Sequence, residues 1–226
     1  MQLGGLQKMT LLDFPGKVAC TVFLQGCNFR CPFCHNPPLL TGQGQISEEE
    51  FFSFLKKRSG LLDGVAVTGG EPLMQPELPH FLEEIKRLGF SVKLDSNGSY
   101  PTQLKQLLQN GLIDYVAMDI KNSPEKYELT AGAKGILPAV EQSAWILMEG
   151  SVPYEFRTTV VKELHEASDF HAIGQWLKGA RAYYLQCFVD SGDILSPDLH
   201  APTQAELENY LAIAKEYIVN THLRGI

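Results

Sequence analysis

Residues 17–34 read KVACTVFLQGCNFRCPFC, a short apolar run followed directly by three cysteines. The first part, 17–24, is rich in Val, Thr and Phe, which is the composition of a β-strand. Cys27, Cys31 and Cys34 then follow with the spacing C-x3-C-x2-C. Because the cysteine loop begins where the strand ends, the sequence predicts a metal site at the carboxyl end of a strand.

The number of cysteines in this loop indicates the kind of site. A structural zinc ion is held by four protein ligands, whereas an iron-sulfur cluster held by three cysteines leaves one iron free to bind another group. The alternative is a zinc site completed by His35, although Cys34 and His35 are adjacent in the chain and make awkward co-ligands. The incomplete ligand set favours a catalytic cluster.

A strand followed by a helix occurs six times along the chain. The predicted strands are 17–24, 64–68, 90–94, 115–120, 154–161 and 183–189, and the predicted helices are 47–60, 77–88, 102–110, 137–149, 168–178 and 203–219. This alternation predicts an α/β fold with parallel strands and right-handed crossovers. An eight-unit barrel typically needs about 250 residues, so six units predict a partial (β/α)6 barrel that is open on one side. The alternative is a doubly wound open sheet.

Composition predicts one domain spanning 1–226 and a reducing environment. The chain has 226 residues, 44% of them hydrophobic, and a net charge of -7, with no basic run longer than Lys56–Arg58. We therefore expect no nucleic-acid partner. No leader-like segment and no apolar run of about 20 residues is present, so we expect a cytoplasmic protein with no membrane partner. Cys20 and Cys187 stand apart from the cysteine loop and are predicted to be buried thiols.

Polar motifs follow three of the predicted strands. They are Gly69-Gly70-Glu71-Pro72, Asp95-Ser96-Asn97-Gly98 and Met118-Asp119-Ile120-Lys121. Taken singly, the first two are also ordinary turn sequences. Barrels of this kind gather their active site at the carboxyl ends of the strands, so we expect these motifs to belong to one site. Arg157 lies within the fifth strand and needs an anionic partner, either a neighbouring carboxylate or a ligand.

The cysteine loop resembles that of the radical S-adenosylmethionine (SAM) superfamily, whose signature is C-x3-C-x-aromatic-C, with Phe33 at the aromatic position. The flanking segments 14–16 (FPG), 22–27 (VFLQGC) and 34–37 (CHNP) resemble the activating enzymes of glycyl-radical enzymes. The anaerobic ribonucleoside-triphosphate reductase activating proteins are the most similar group, and the pyruvate formate-lyase activating enzymes are near relatives.

This resemblance implies an anaerobic oxidoreductase. A 4Fe-4S cluster on the three cysteines would reductively cleave SAM, and a glycyl radical would form on a partner enzyme, with a flavodoxin- or ferredoxin-type protein donating the electron. The most favoured partner is anaerobic ribonucleoside-triphosphate reductase. The alternatives are pyruvate formate-lyase or another glycyl-radical enzyme as partner, a small-molecule enzyme such as a 7-carboxy-7-deazaguanine synthase, and a non-enzymatic zinc-binding adaptor.

The resemblance also assigns residues. The SAM contacts would be Phe33, Gly69, Gly70, Glu71, Ser96, Asp119, Lys121 and Arg157. Within this set, the glycine motif with Glu71 would receive the SAM amino group and Lys121 its carboxylate. A monovalent cation beside SAM would be held by Asp95, Ser96, Asp119 and the Met118 carbonyl. Where relatives carry a sixth-strand histidine this chain has Gln186, a weak candidate contact, and no histidine is assigned to catalysis. The segment 127–135 is expected to be a loop that contacts the partner.

Overall fold

The computed structural model describes residues 1–41, 44–190 and 192–225. Its strands are β1 (Leu3–Thr10), β2 (Ala19–Leu24), β3 (Gly64–Gly69), β4 (Ser91–Ser96), β5 (Tyr115–Asp119), β6 (Tyr154–Val160), β7 (Tyr183–Cys187) and β8 (Thr221–Arg224). They pair in the order in which they occur in the chain. β1 is antiparallel to β2, whereas the pairs β2–β3, β3–β4, β6–β7 and β7–β8 are parallel.

Helices connect the parallel strands. They are α1 (Pro38–Thr41), α2 (Glu48–Lys56), α3 (Leu78–Arg87), α4 (Pro101–Gln109), α5 (Tyr127–Ala131), α6 (Leu137–Glu149), α7 (Ala167–Trp176) and α8 (Gln204–Lys215), with one 3-10 turn at Pro72–Met74. The helices predicted to begin at 47 and 203 both begin with a capping box. The Ser47 and Thr203 hydroxyls accept from the backbone N–H three residues on, and the Glu50 and Glu206 carboxylates accept from the Ser47 and Thr203 N–H groups. Capping boxes of this kind fix where a helix begins.

Residue contacts divide the chain into two compact units, each with its own apolar core. The first unit comprises Met1–Asn28, Pro38–Ser96 and Tyr100–Ala117. In it Phe51 and Phe81 stack with ring centroids 5.1 Å apart. Its strands β2, β3 and β4 run without interruption into the cysteine loop, the Gly69–Glu71 turn and the Asn97 turn.

The second unit comprises Phe29–Pro37, Asn97–Ser99 and Met118–Ile226. Its core contains fully buried aromatic side chains from helices and strands, namely Tyr127, Phe156, Phe170 and Tyr183. The prediction that 1–226 forms a single domain stays a prediction.

The six predicted strands are all present, as β2 to β7, and the predicted parallel pairing is confirmed for the four pairs named above. Two strands were missed. β1 contains Gly4 and Gly5, which weaken a strand signal, and β8 has only four residues. The loop expected at 127–135 is also corrected, because its first five residues form α5.

Among the described residues, none of the helices has the length and apolar character needed to cross a bilayer.

Candidate active site

The cysteine loop presents three cysteines, none of which forms a disulfide. Cys31 is buried, and Cys27 and Cys34 are half-buried. The backbone N–H of Cys34 donates to the carbonyl of Cys31 over 3.0 Å, which forms the tight turn that the C-x2-C spacing requires. Soft thiolates in a reducing environment are the ligands that iron-sulfur clusters use. The donor set therefore fits the predicted cluster chemically.

Helix α5 holds the second part of this loop. The backbone N–H of Arg30 donates to the Ala131 carbonyl over 2.9 Å, and the Cys31 thiol lies 3.7 Å from the same oxygen. Gly132 ends the helix in the left-handed conformation, with φ 61°. A Cβ at this position would lie 2.3 Å from the Arg30 carbonyl oxygen. The helix end and the cysteine loop thus pack backbone against backbone, an interaction that the sequence analysis missed.

The Gly69-Gly70 turn packs in the same way on the start of the cysteine loop. A Cβ on Gly69 would lie 2.4 Å from the backbone of Leu24, and a Cβ on Gly70 would lie 1.9 Å from the Gly26 carbonyl oxygen. The Glu71 N–H donates to that oxygen over 2.8 Å. Glycine is required at both positions because no side chain fits there. The turn therefore fixes the backbone immediately before Cys27.

Glu71 is a fully buried carboxylate. Its Oε1 accepts hydrogen bonds from the Leu73 N–H and from the Ser96 hydroxyl, each over 3.0 Å. Burial and the nearby negative charges of Glu71 and Cys27 raise the pKa of Tyr100. Two residues predicted to contact SAM, Glu71 and Ser96, are thus brought together, and Tyr100 is a neighbour that the sequence did not indicate.

Asp95 is ion-paired within its own strand. Its carboxylate accepts a hydrogen bond from the ammonium of Lys93, which is two residues earlier in β4. The Lys93 side chain is only 3% exposed. Neighbours two apart along a strand point to the same face, so the pair follows directly from the sequence KLD. The sequence analysis named Asp95 as a cation ligand but did not consider Lys93.

In the second unit, Asp119 lies between two cations. Its Oδ2 accepts from the Lys121 ammonium over 2.9 Å, and its Oδ1 accepts from Arg157 Nε over 3.0 Å and lies 2.9 Å from Arg157 Nη2. Arg157 therefore has the neighbouring carboxylate that was one of its two predicted partners. These three side chains carry one net positive charge, and we call them the Asp119 triad.

The electrostatics of the Asp119 triad stabilise all three charges. Burial acts to raise the pKa of Asp119, but the charges of Lys121 and Arg157 outweigh it and hold the pKa well below its usual range. Burial likewise acts to lower the pKa of Lys121, and the Asp119 charge outweighs it and raises the pKa. The Lys121 ammonium also lies 5.9 Å from the centre of the Phe33 ring. Two predicted SAM contacts on different segments, Phe33 and Lys121, are thus neighbours.

A buried polar network supports the chain segment that follows Lys121. His165 Nε2 lies 2.9 Å from the Lys121 carbonyl, and Asn122 Nδ2 donates over 2.9 Å both to the Thr130 hydroxyl and to the Leu164 carbonyl. Burial lowers the pKa of His165, so the imidazole is neutral at pH 7. The sequence analysis assigned no histidine to catalysis and did not foresee this structural role of His165.

Met118 and the remaining candidates are placed as follows. The Met118 side chain is fully buried and lies against Gly98, where a Cβ would be 2.2 Å from its methyl group. Gln186 lies on β7 and is half-buried. Cys20 is fully buried, as predicted, whereas Cys187 is half-buried. His35 lies 5.7 Å from Phe188, ring centre to ring centre, and its pKa is lowered by burial.

Within residues 1–41, 44–190 and 192–225, no group of three or more His, Cys, Asp or Glu side chains is arranged to hold a metal ion in the protein alone. The ligand assignment for the cluster therefore rests on the spacing of the cysteines, on the absence of disulfides between them and on the relatives of the chain.

The sequence profile of the radical SAM superfamily matches residues 21–168, which include the cysteine loop, the glycine turn and the Asp119 triad. A putative glycyl-radical enzyme activating enzyme from Methanocaldococcus jannaschii is 31% identical over 232 residues, covering 99% of this chain and 96% of the relative. The chain belongs to the radical SAM superfamily and, within it, to the glycyl-radical enzyme activating enzymes. Members of this family are enzymes that act by radical chemistry and use a 4Fe-4S cluster and SAM.

Two further comparisons, one with a relative and one with a solved structure, agree with this family and its fold. The pyruvate formate-lyase-activating enzyme of Clostridium pasteurianum is 33% identical over 128 residues, covering 54% of this chain and 52% of the relative. The crystal structure of Streptococcus suis SuiB bound to S-adenosylmethionine superposes with a TM-score of 0.71 at 12% identity, covering 89% of this chain and 49% of SuiB. At that identity the likeness shows the fold alone, and the predicted radical SAM fold class is confirmed.

Proposed function

We propose that this activating enzyme reductively cleaves SAM at a 4Fe-4S cluster and generates a glycyl radical on anaerobic ribonucleoside-triphosphate reductase. The observation that carries the activase class is the full-length similarity to an activating enzyme. The choice of partner rests on the FPG, VFLQGC and CHNP segments around the cysteine loop.

In this proposal the thiolates of Cys27, Cys31 and Cys34 hold the cluster. When bound, the cluster and SAM together supply one-electron cleavage of the SAM sulfonium and removal of a hydrogen atom from the partner's glycine. The packing of Gly70 against Gly26 fixes the backbone before Cys27, and the packing of Gly132 against Arg30 fixes the backbone before Cys31. The protein's contribution is thus to hold the backbone next to these cysteines.

The remaining residues of the proposal orient SAM. Gly69 and Gly70 leave backbone uncovered by side chains, and the buried Glu71 carboxylate suits the SAM amino group, with Ser96 holding Glu71 in place. The net positive charge of the Asp119 triad suits the SAM carboxylate, and Lys121 is a compact donor for it. The Phe33 ring lies 5.9 Å from the Lys121 ammonium and would help to exclude water from it.

Three finer points belong to the proposal. We place the protein in the cytoplasm, as one core domain over 1–226, with a flavodoxin- or ferredoxin-type electron donor. The monovalent cation is left out of the proposal, because Asp95, one of its four expected ligands, is already paired with Lys93.

A second candidate partner is pyruvate formate-lyase. It is favoured by the similarity to the Clostridium pasteurianum enzyme, which covers about half of that protein.

The SAM chemistry is tested by anaerobic reconstitution with iron and sulfide. We expect the reduced protein to give a 4Fe-4S EPR signal that changes when SAM is added, and we expect 5'-deoxyadenosine to form. Cys34→Ala should lose both, whereas Cys187→Ala, which removes a half-buried thiol outside the loop, should keep both. Stoichiometric zinc without a cluster and without SAM cleavage would overturn the proposal.

A further inference from the structure

Lys93 is a buried cation at the end of β4. Its side chain is 3% exposed and its ammonium contacts the Asp95 carboxylate, whose side chain is 15% exposed. Burying an unpaired ammonium costs free energy, and the ion pair with Asp95 offsets this cost for Lys93. The two residues lie on one face of one strand, so the pairing needs no long-range rearrangement.

This ion pair conflicts with the monovalent cation that the family resemblance implies. The Asp95 carboxylate, which should be a ligand, already carries a compensating charge from the chain. A potassium or sodium ion at Asp95 would place a second positive charge beside the buried ammonium, and like charges in a poorly solvated site repel strongly. The residues at the end of β4 therefore do not fit a bound monovalent cation.

We propose that Lys93 is a positioning residue that supplies, from the chain itself, the positive charge expected from a bound monovalent cation. SAM binding by this enzyme is then independent of potassium and sodium. The proposal rests on the proposed SAM site, to which Ser96, the residue after Asp95, is assigned.

The first test uses the wild-type holoenzyme. SAM affinity is measured by anaerobic calorimetry in choline chloride, potassium chloride and sodium chloride at one ionic strength. We expect the three dissociation constants to agree within about twofold. A gain of about tenfold or more on adding potassium or sodium, the size of one charge-assisted hydrogen bond, would overturn the proposal while leaving the proposed SAM chemistry intact. Failure to bind SAM in every salt would overturn the proposed function and this inference with it.

The second test uses Lys93→Met, which keeps an unbranched side chain one atom shorter and removes the charge. We expect this variant to bind SAM about tenfold more weakly in choline chloride and to recover when potassium is added. Lys86→Met is the control, because Lys86 is also paired with an aspartate, Asp114, which accepts a hydrogen bond from the Val92 N–H near the start of β4. The control should show no potassium response. Equal SAM affinity of Lys93→Met and wild type in choline would overturn the proposal.

A third readout needs no cofactor. Thermal unfolding of the cluster-free proteins is compared in choline and potassium chloride. For Lys93→Met we expect potassium to raise the midpoint by about 2–4 °C, which corresponds to roughly 1 kcal/mol for a chain of this size. Wild type and Lys86→Met should show no potassium-specific shift. If potassium raised the unfolding midpoint of wild type as much as that of Lys93→Met, this would contradict the proposal that Lys93 supplies the positive charge.

Discussion

Gly132 packs directly on the backbone of Arg30, with its missing Cβ only 2.3 Å from the Arg30 carbonyl oxygen. The contact joins the end of α5 to the residue before Cys31. It is made by backbone atoms, which cannot move aside as a flexible side chain can.

Gly132→Ala should therefore displace the cysteine loop. Gly135→Ala is a matched control, because Gly135 also has a positive φ, 69°, but no atom within 4 Å of its missing Cβ. Both variants strain the left-handed backbone by about 1–2 kcal/mol. Only Gly132→Ala should lose iron and sulfide after reconstitution and alter the EPR spectrum. Equal cluster content in the two variants would show that the contact does not position the loop.

Asp119→Asn should destabilise the protein at neutral pH, because Lys121 and Arg157 lose their shared carboxylate. We expect the free energy of unfolding to fall by about 1–3 kcal/mol in urea titrations at pH 7. Glu84→Gln, which breaks an exposed pair with Arg87, should change it little.

The stability difference between wild type and Asp119→Asn should depend on pH. The pKa of Asp119 is lowered in the folded state, so its stabilisation is complete above the unfolded pKa of about 4 and declines as the pH falls toward the folded value. The difference between wild type and Asp119→Asn should therefore shrink below about pH 4. A stability difference that stays constant from pH 7 to pH 3 would contradict the claim that Lys121 and Arg157 stabilise the charged Asp119 carboxylate.

Thiol labelling distinguishes the cysteines. Burial raises the pKa of Cys20 to about 12, so it has almost no thiolate at pH 8 and should react with iodoacetamide only after unfolding. In the cluster-free protein, Cys27 and Cys34 should label first. Reconstitution should then protect Cys27, Cys31 and Cys34, but not the half-buried Cys187. Mass spectrometry of the digested protein measures each site, and protection of Cys187 in place of a loop cysteine would refute the ligand set.

Glu71→Gln should weaken SAM binding more than Ser96→Ala. The first variant removes the charge proposed to meet the SAM amino group, whereas the second removes one neutral hydrogen bond to that carboxylate. We expect losses of about tenfold or more and of a few-fold respectively in the dissociation constant. The reverse order would place the SAM amino group elsewhere.

The sequence predicts the strands and helices well where local signals are strong. The capping boxes at Ser47 and Thr203 and the Val- and Thr-rich strands are examples, because they depend on neighbouring residues alone. The assignment of the three cysteine ligands also uses local spacing, and it stays a prediction.

Other features depend on contacts between distant segments. The pairing of β1 with β2, the packing of Gly132 on Arg30 and the hydrogen bond of His165 to the Lys121 carbonyl join residues that no local pattern links. The Lys93–Asp95 pair is local and follows from strand alternation, whereas the family resemblance implied a bound cation at Asp95.

The most direct test of the account is transfer of a radical to a partner. The reconstituted protein, SAM and a reductant are mixed anaerobically with anaerobic ribonucleoside-triphosphate reductase or with pyruvate formate-lyase, and glycyl radicals are counted by EPR. We predict a glycyl radical on the reductase that is absent from a variant lacking its radical-bearing glycine. A radical on pyruvate formate-lyase alone would identify that enzyme as the partner. SAM cleavage without a radical on either glycyl-radical enzyme would contradict the proposed activase function.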